Sequence, residues 1–279
     1  QLYYKILLLF LGSLILEIYQ IIGNQEKTAQ TLAQLGDFYL KLENPEKAVE
    51  FYSKAVLIYQ ELNHFSDQAY TLRLVGKLYY ELGKKQQALE MFQQAGNVVQ
   101  EKGDIEQSVK ILIQISSDYQ ELGDKKIAIE FYNQVIPILQ QSGDYQQEAS
   151  ILRTIGQLYY ELENPDKSLE TFNQARNVYQ QKGDKSGEAW TIYEIGKTYT
   201  ILGEFQRALD FYQQALAIYE EEADANLREE RTLDMLIRIS RIYAYMGNSE
   251  TAIEYCKKSL TNAQNFPPSN IVRRSEMFR

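Results

Sequence analysis

Residues that could carry metal or thiol chemistry are scarce in this chain. Its 279 residues include one cysteine, Cys256, and one histidine, His64. A single cysteine excludes an internal disulfide framework, and one cysteine with one histidine cannot supply a metal cluster at ligand spacing. We interpret Cys256 as a small buried side chain and His64 as a solvated residue in a turn.

Basic charge and helix-breaking residues are also scarce. The chain has 29 Lys and Arg residues against 38 Asp and Glu, a net charge of -9, which argues against non-specific nucleic-acid binding. Only 5 prolines accompany 22 tyrosines, so we expect long helices that pack through aromatic rings. The chain contains no phosphate loop, dinucleotide fingerprint or nucleophile elbow, and we therefore expect neither an enzyme nor a cofactor.

What the sequence does contain is a pattern that repeats about every forty residues. A small residue recurs at Gly36, Gly76, Ser116, Gly156 and Gly196. Three positions after each of these stands a tyrosine, at Tyr39, Tyr79, Tyr119, Tyr159 and Tyr199. A sixth copy follows after a four-residue slip, with Ser240, Tyr243 and Ala252 in the equivalent places. A period between twenty and fifty residues is typical of stacked supersecondary units.

Each copy reads as two helices. In the first, Leu32, Leu35 and Tyr39 recur at helical spacing, and a break at Asn44-Pro45 then precedes a second apolar stripe. We assign the units to residues 29–68, 69–108, 109–148, 149–188, 189–230 and 231–265, followed by a basic tail at 266–279. The slip at Glu221–Arg231 predicts either a longer loop or an extended helix.

Residues 1–28 allow two interpretations. Ile6–Leu16 is apolar, and Tyr19 stands one period before Tyr59, so this segment could be the orphan second helix of a truncated repeat. Alternatively, residues 5–22 are a signal or membrane-anchor segment. In the first case Phe10 and Leu14, which replace polar residues of later copies, predict a further apolar neighbour. We expect a cytoplasmic protein, or with an anchor a membrane-associated or exported one, and possible membership of a larger polypeptide or assembly is left open.

The spacing of Gly36, Tyr39, Ala48, Tyr52 and Ala55 resembles the tetratricopeptide repeat. The usual period of that family is 34 residues, and a period of forty is similar to the longer variety in kinesin light chains and in G-protein-regulatory scaffolds. The resemblance covers about residues 29–265. It implies an all-α fold, a right-handed α-solenoid of antiparallel helix pairs.

The same resemblance implies a concave groove, lined by the first helices, that holds a peptide or a segment of a partner protein. The groove positions vary from copy to copy and are rich in cations and aromatic rings, residues that dominate interface hot spots. The predicted binding residues are Tyr70, Arg73, Lys77, Tyr80, Lys110, Arg153, Gln157, Tyr160, Trp190, Tyr193, Lys197, Arg238 and Arg241.

These residues favour an acidic, partly hydrophobic ligand, because Arg can hold a carboxylate through two parallel hydrogen bonds. The alternative is that they form ordinary solvated helix faces. The carboxylate clamp of chaperone-binding relatives is absent, since Ala33 and Asp37 occupy its first positions. The asparagine ladder of longer-repeat scaffolds is only partly replaced, by Gln34 and Gln114.

The leading functional hypothesis is a non-catalytic protein-interaction scaffold. One alternative is a membrane-tethered assembly factor anchored through residues 5–22. Another is the sensor arm of a larger regulatory protein whose effector domain is absent from this sequence.

Overall fold

The computed structural model describes residues 2–102, 105–221 and 224–264, and all regular secondary structure in these ranges is helical. They contain thirteen helices: α1 Leu2–Ile21, α2 Gln25–Lys41, α3 Pro45–Glu61, α4 Phe65–Glu81, α5 Lys85–Lys102, α6 Ile105–Glu121, α7 Lys125–Ser142, α8 Tyr145–Glu161, α9 Pro165–Lys182, α10 Lys185–Ile201, α11 Phe205–Glu220, α12 Ala225–Tyr245 and α13 Ser249–Gln264.

The chain divides into two compact units, Gln1–Ser142 and Gly143–Arg279. The first unit contains α1 and the antiparallel hairpins α2/α3, α4/α5 and α6/α7. The second contains the hairpins α8/α9, α10/α11 and α12/α13. Within each unit a hairpin packs on the next one along the chain, so the predicted all-α solenoid of helix pairs is confirmed.

Asparagine and aspartate side chains begin many of these helices. The Asn24 side chain accepts a hydrogen bond from the Lys27 N–H at 3.0 Å, and Asp184 accepts one from the Gly187 N–H at 2.8 Å. Such caps satisfy first-turn donors that have no partner inside the helix. A left-handed glycine precedes each of these two caps, Gly23 with φ 69° and Gly183 with φ 73°, a conformation that costs glycine little.

In four of the hairpins, a glycine of the first helix faces an aromatic ring of the second. A Cβ added at Gly36 would lie 2.7 Å from the Tyr52 ring, and one at Gly156 would lie 2.7 Å from the Phe172 ring. Tyr52 also belongs to a core cluster with Val75 of the following hairpin. One ring therefore fills both the space within its own hairpin and the space beside the next.

The helices run across the predicted unit boundaries. The first hairpin begins at Gln25 rather than at residue 29, so the forty-residue window is the same repeat cut at a different phase. The slip between the fifth and sixth copies is an extended helix, because α12 has 21 residues where α10 has 17. The predicted basic tail, 266–279, lies outside the described residues.

The expectation that Cys256 is buried is wrong, because the thiol is exposed. Its equivalent in the preceding hairpin, Tyr212, is buried in a cluster that includes Met235 and Ile239 of α12. No helix follows α13 in the described part of the chain, so Cys256 has no such neighbour there. Ile253 and Leu260, on the same face of α13, are exposed as well.

Helix α1 packs on α2 through residues in the repeat register. A Cβ added at Gly12 would lie 2.7 Å from Leu35. These two residues stand one period before Tyr52 and Val75, so α1 contacts α2 as α3 contacts α4. The apolar neighbour expected beside Phe10 and Leu14 is not seen in the described ranges, where the two side chains are 66% and 44% exposed. None of the described helices combines the length and the apolar character needed to cross a bilayer.

Candidate functional site

In the first unit, two of the predicted binding residues are paired with carboxylates of the same unit. We use the name α4/α6 face for the predicted binding residues on the first helices α4 and α6 and the side chains that contact them. The Arg73 Nη1 lies 2.6 Å from the Asp118 Oδ2, and both side chains are largely buried, at 13% and 6% exposed. The Lys77 Nζ lies 3.4 Å from the Asp118 Oδ1 and 3.2 Å from the Glu121 Oε2.

These pairs largely neutralise the α4/α6 face. Burial lowers the pKa of Lys77, but Asp118 and Glu121 outweigh that effect, and the pKa is raised above its ordinary value. The Tyr80 hydroxyl donates a hydrogen bond to the Leu122 carbonyl oxygen at 3.1 Å. Three of the predicted residues on α4 are therefore tied to α6.

Two predicted residues of the first unit remain more open. Tyr70 is 46% exposed, and the Arg73 guanidinium lies 5.3 Å from the centre of its ring. Lys110 is exposed and has no carboxylate partner among the described residues.

The sequence prediction missed Asp118, although a signal for it existed. Asp118 occupies the position that holds Phe38, Leu78, Leu158 and Thr198 in other copies. A charged residue at a position that is otherwise mostly apolar must find a partner if the fold buries it.

In the second unit, cations and aromatic rings of successive first helices contact one another. The Arg153 guanidinium of α8 lies 4.0 Å from the centre of the Trp190 ring of α10. The Lys197 Nζ lies 4.5 Å from the centre of the Tyr160 ring of α8. Arg153, Gln157 and Tyr160 follow one another at i, i+4 and i+7, so they form one stripe of α8. We use the name α8/α10/α12 face for the predicted binding residues on the first helices α8, α10 and α12 and the side chains that contact them.

Two of its cations are paired with acids on their own helices. The Lys197 Nζ lies 2.9 Å from the Glu194 Oε2, and the Arg238 Nε lies 2.9 Å from the Asp234 Oδ2. Arg153 and Arg241 have no carboxylate partner in the described ranges. Excess positive charge on this face therefore resides on these two arginines.

The remaining predicted residues of this face are partly structural. Tyr193 packs against the core cluster of its hairpin, and the Arg238 guanidinium lies 4.7 Å from the centre of its ring. Burial raises the pKa of Tyr193, so its hydroxyl stays protonated at neutral pH. The Gln157 Nε2 donates to the Glu161 Oε1 at 3.1 Å, whereas the Gln157 Oε1 is buried without a partner in the described structure.

Neither face presents a metal site. The described residues contain no group of three or more His, Cys, Asp or Glu side chains that could hold a metal ion. The arrangement suits recognition of a polar and aromatic surface through hydrogen bonds, charge and ring stacking.

Comparison with known structures reveals many similar helical repeats. BtubC from P. vanneervenii aligns over 81% of this chain and 92% of its own, at 17% identity and a TM-score of 0.53. TPR-like repeats of a putative kinesin light chain from Podosopora anserina align over 72% of this chain and 96% of theirs, at 16% identity and a TM-score of 0.53.

A third similar structure is a signal transduction ATPase with numerous domains, from Pyrococcus horikoshii, which has a tetratricopeptide repeat sensor. It aligns over 90% of this chain but only 38% of its own, at 16% identity and a TM-score of 0.55. At these identities the likeness shows the fold alone. No curated protein sequence matches the chain.

Family models agree with the structural likeness. Models of the tetratricopeptide repeat match residues 27–101, 147–221 and 233–266. Such repeats are typically non-catalytic and bind proteins, which makes this chain a protein-interaction scaffold. By its repeated sequence, its hairpin packing and these matches, the chain belongs to the tetratricopeptide repeat family.

Proposed function

We propose that the scaffold binds an acidic, partly hydrophobic segment of a partner protein along the first helices of its hairpins. The observation that carries this proposal is the contact of Arg153 with Trp190, 4.0 Å from guanidinium to ring centre. The ring holds the guanidinium in place, and no carboxylate of the described chain competes for its donors. A partner carboxylate can then form two parallel hydrogen bonds, while an adjacent apolar side chain contacts Trp190.

The charge distribution supports the second unit as the place where the acidic group binds. On the α4/α6 face, Arg73 and Lys77 already hold Asp118 and Glu121. A ligand carboxylate there would have to displace an existing partner. On the α8/α10/α12 face, Arg153 and Arg241 offer charge without that cost.

A pulldown with matched variants tests this function. Arg153→Glu combined with Trp190→Ala should reduce recovery of partner proteins from a lysate of the source organism by about tenfold or more, since charged and aromatic anchors each contribute a kcal/mol or more. The control is Lys167→Glu combined with Tyr159→Ala. It also reverses one charge and truncates one ring, at a pair 5.4 Å apart elsewhere in the second unit.

Comparison of the two variants distinguishes loss of this binding site from a general effect of the substitutions. Partner recovery that survives in the first variant, or falls equally in the control, would contradict binding at Arg153 and Trp190. Melting temperatures of both variants establish that each remains folded.

A second candidate is the sensor arm of a larger regulatory protein. It is favoured by the likeness to the Pyrococcus horikoshii ATPase, whose repeats form one part of a longer chain. If the full-length gene product carries a nucleotide-binding domain beside these repeats, ligand binding to them should change its ATPase rate. A gene product without a further domain would rule this candidate out.

We also propose that the protein is cytoplasmic. The alternative is a membrane-tethered assembly factor. Cell fractionation followed by carbonate extraction distinguishes the two. Recovery in the soluble fraction supports the first, and a pellet that resists carbonate but becomes soluble when residues 1–22 are removed supports the second.

A further inference from the structure

Helix α1 carries a stripe of large apolar side chains that the described residues leave largely exposed. Each of them is between 41% and 77% exposed: Leu7, Phe10, Leu11, Leu14, Ile15, Ile18 and Ile21. The other side of the helix packs on the first hairpin, through Gly12 against Leu35 and through Leu16 against the cluster around Leu32. Apolar surface gathered on one side of an exposed helix marks an interaction site.

Stacking of repeats does not account for this stripe. Phe10 stands at a position that every later second helix fills with an exposed carboxylate: Glu50, Glu90, Glu130, Glu170, Asp210 and Glu254. Leu14 stands where those helices have lysine or glutamine. In α3 these two positions form a solvent-exposed ion pair, with the Lys54 Nζ 2.5 Å from the Glu50 Oε1. A first helix paired with α1 in the manner of the other hairpins would therefore leave Phe10 and Leu14 exposed.

The stripe has the spacing of a seam between two helices. Apolar side chains recur at intervals of four, three, four and three residues, at Leu7, Leu11, Leu14, Ile18 and Ile21. This is the heptad pattern through which two helices pack side by side. The occupant that fits such a seam is another helix with a matching apolar stripe.

The seam of α1 matches itself. When two copies of α1 lie antiparallel about a two-fold axis between Leu11 and Leu14, Leu7 of one copy is opposite Ile18 of the other. Leu11 is then opposite Leu14, so apolar residues meet apolar residues along the middle of the seam. The exposed side chains of the stripe together present on the order of 700 Å², comparable with the roughly 800 Å² that each partner buries in a stable interface. Closed two-fold dimers are also the commonest oligomers.

Charge disfavours a lipid surface as the occupant. The chain has a net charge of -9, whereas anionic headgroups attract basic segments. Glu17, three residues after Leu14, is exposed on α1 as well, and a bilayer that received the stripe would lie beside this carboxylate.

We propose that the protein forms a homodimer through an antiparallel contact between the α1 helices of two copies. This contact uses no residue of the α8/α10/α12 face. Dimer formation and the proposed partner binding are therefore separate properties, and each can be lost without the other.

Sedimentation equilibrium of the full chain tests the dimer. The wild type should show twice the chain mass of 32.5 kDa. Phe10→Glu combined with Leu14→Lys installs the residues of the α3 ion pair, so α1 should stay helical while the dimer dissociation constant rises about a hundredfold or more. The matched control is Leu57→Lys combined with Ile201→Glu. It alters two apolar residues, 60% and 64% exposed on other helices, and should leave the dimer intact.

Disulfide crosslinking tests the antiparallel arrangement. In a Cys256→Ser background, which removes the exposed thiol, a chain with Leu7→Cys should crosslink to a chain with Ile18→Cys on oxidation. Neither chain should crosslink to another copy of itself.

Flotation with vesicles of phosphatidylcholine and phosphatidylglycerol tests lipid as the occupant. The wild type should not float with them. The proposal is overturned by a monomeric wild type, by a dimer that survives Phe10→Glu with Leu14→Lys, by equal loss in the control, by absence of the mixed crosslink, or by vesicle binding. Arg153→Glu should leave the dimer intact even if partner capture is lost.

Discussion

At the scale of single residues, four of the hairpins share a close fit between a glycine of the first helix and an aromatic ring of the second. The contact between Gly156 and Phe172 lets α8 and α9 approach closely while the ring fills the space above them. A side chain at the glycine would have to displace a fully buried ring. This explains why a residue that weakens a helix recurs in the middle of the first helices.

Gly156→Ala should destabilise the second unit. The added Cβ would lie 2.7 Å from the Phe172 ring, and such overpacking costs about 1 to 3 kcal/mol, partly offset by about 1 kcal/mol of helix propensity. We expect a net loss of up to about 2 kcal/mol in the free energy of unfolding by urea. The fluorescence of Trp190, the chain's 1 tryptophan, follows the transition. Gln174→Ala, at an exposed position of α9, should change the free energy of unfolding little. A stabilised Gly156→Ala variant would contradict the packing described.

Glu188 predicts a pH dependence of stability. Burial raises the pKa of its carboxyl group, but hydrogen bonds from Gln180 and Lys185 outweigh burial, and the pKa falls below the ordinary value of 4.5. A depressed pKa stabilises the fold above the unfolded-state pKa, and this contribution is lost as the pH falls through the folded-state pKa.

The measurement compares wild type with Glu188→Gln in urea unfolding between neutral and acid pH. The difference in free energy of unfolding should be largest near pH 7 and should shrink below about pH 4.5. A difference that stays constant across this range would show that the charge of Glu188 does not matter.

Sequence reasoning at this scale succeeded where a residue recurs and failed where one copy departs from the others. Gly36 and Tyr52 could be identified because packing imposes a similar choice of residue on most of the hairpins. Asp118 and His64 each replace a residue typical of their position, and the partner of Asp118, Arg73, lies far away in sequence. Such departures become visible only when side chains are placed in space.

At the scale of helices, the first unit is tied together by side chains that join α4 to α6. Arg73 and Lys77 on one helix hold Asp118 on the other, and Tyr80 donates to the Leu122 carbonyl. These contacts connect residues some forty positions apart, across the intervening helix α5. They fix the spacing of two first helices beyond what apolar packing alone specifies.

Asp118→Asn should therefore destabilise the first unit substantially. It leaves two cations without their buried partner, and loss of one member of a buried ion pair typically costs about 3 kcal/mol. Helical circular dichroism during urea unfolding measures the loss. Glu121→Gln is the matched control, because Glu121 is 64% exposed and such surface pairs contribute roughly 0 to 1 kcal/mol. Equal effects of the two variants would contradict the assigned burial of Asp118.

The number and type of the helices could largely be predicted from the sequence, but the residue at which each repeat begins could not. Breaks at Asn44-Pro45 and at the glycines were visible in the sequence, and α3 begins at Pro45 as expected. The window of 29–68 was chosen from similarity between copies, which is insensitive to where a unit is cut. Cys256 was misjudged because its burial requires a following helix, and the described chain ends with α13.

At the scale of the whole molecule, each unit is built from hairpins that contact their neighbours in sequence. This arrangement needs few contacts between distant parts of the chain, and it leaves the outward side of the first helices free of core packing. A repeated sequence therefore predicts the architecture well. It says little about the partner, because binding residues are those that packing does not constrain.

The α8/α10/α12 face is the part of the molecule on which the proposed function depends. Its residues differ between copies, and its aromatic and cationic side chains contact one another, with Tyr193 also packed against the core cluster. The sequence placed these residues on first helices, where the structure also has them. It could not show that Glu194 and Asp234 neutralise Lys197 and Arg238. Arg153 contacts an aromatic ring and has no carboxylate partner in the described chain, so we place the proposed anchor at Arg153 and Trp190.

Site-specific photo-crosslinking tests this account most directly. A benzophenone side chain placed at Arg241, exposed on a first helix, should crosslink a partner protein in a lysate of the source organism, and the product should disappear when Arg153→Glu and Trp190→Ala are added. The same group placed at Gln174, exposed on a second helix, should not capture that partner. A crosslink from Gln174 alone, or one from Arg241 that persists in the combined variant, would contradict binding on the first helices.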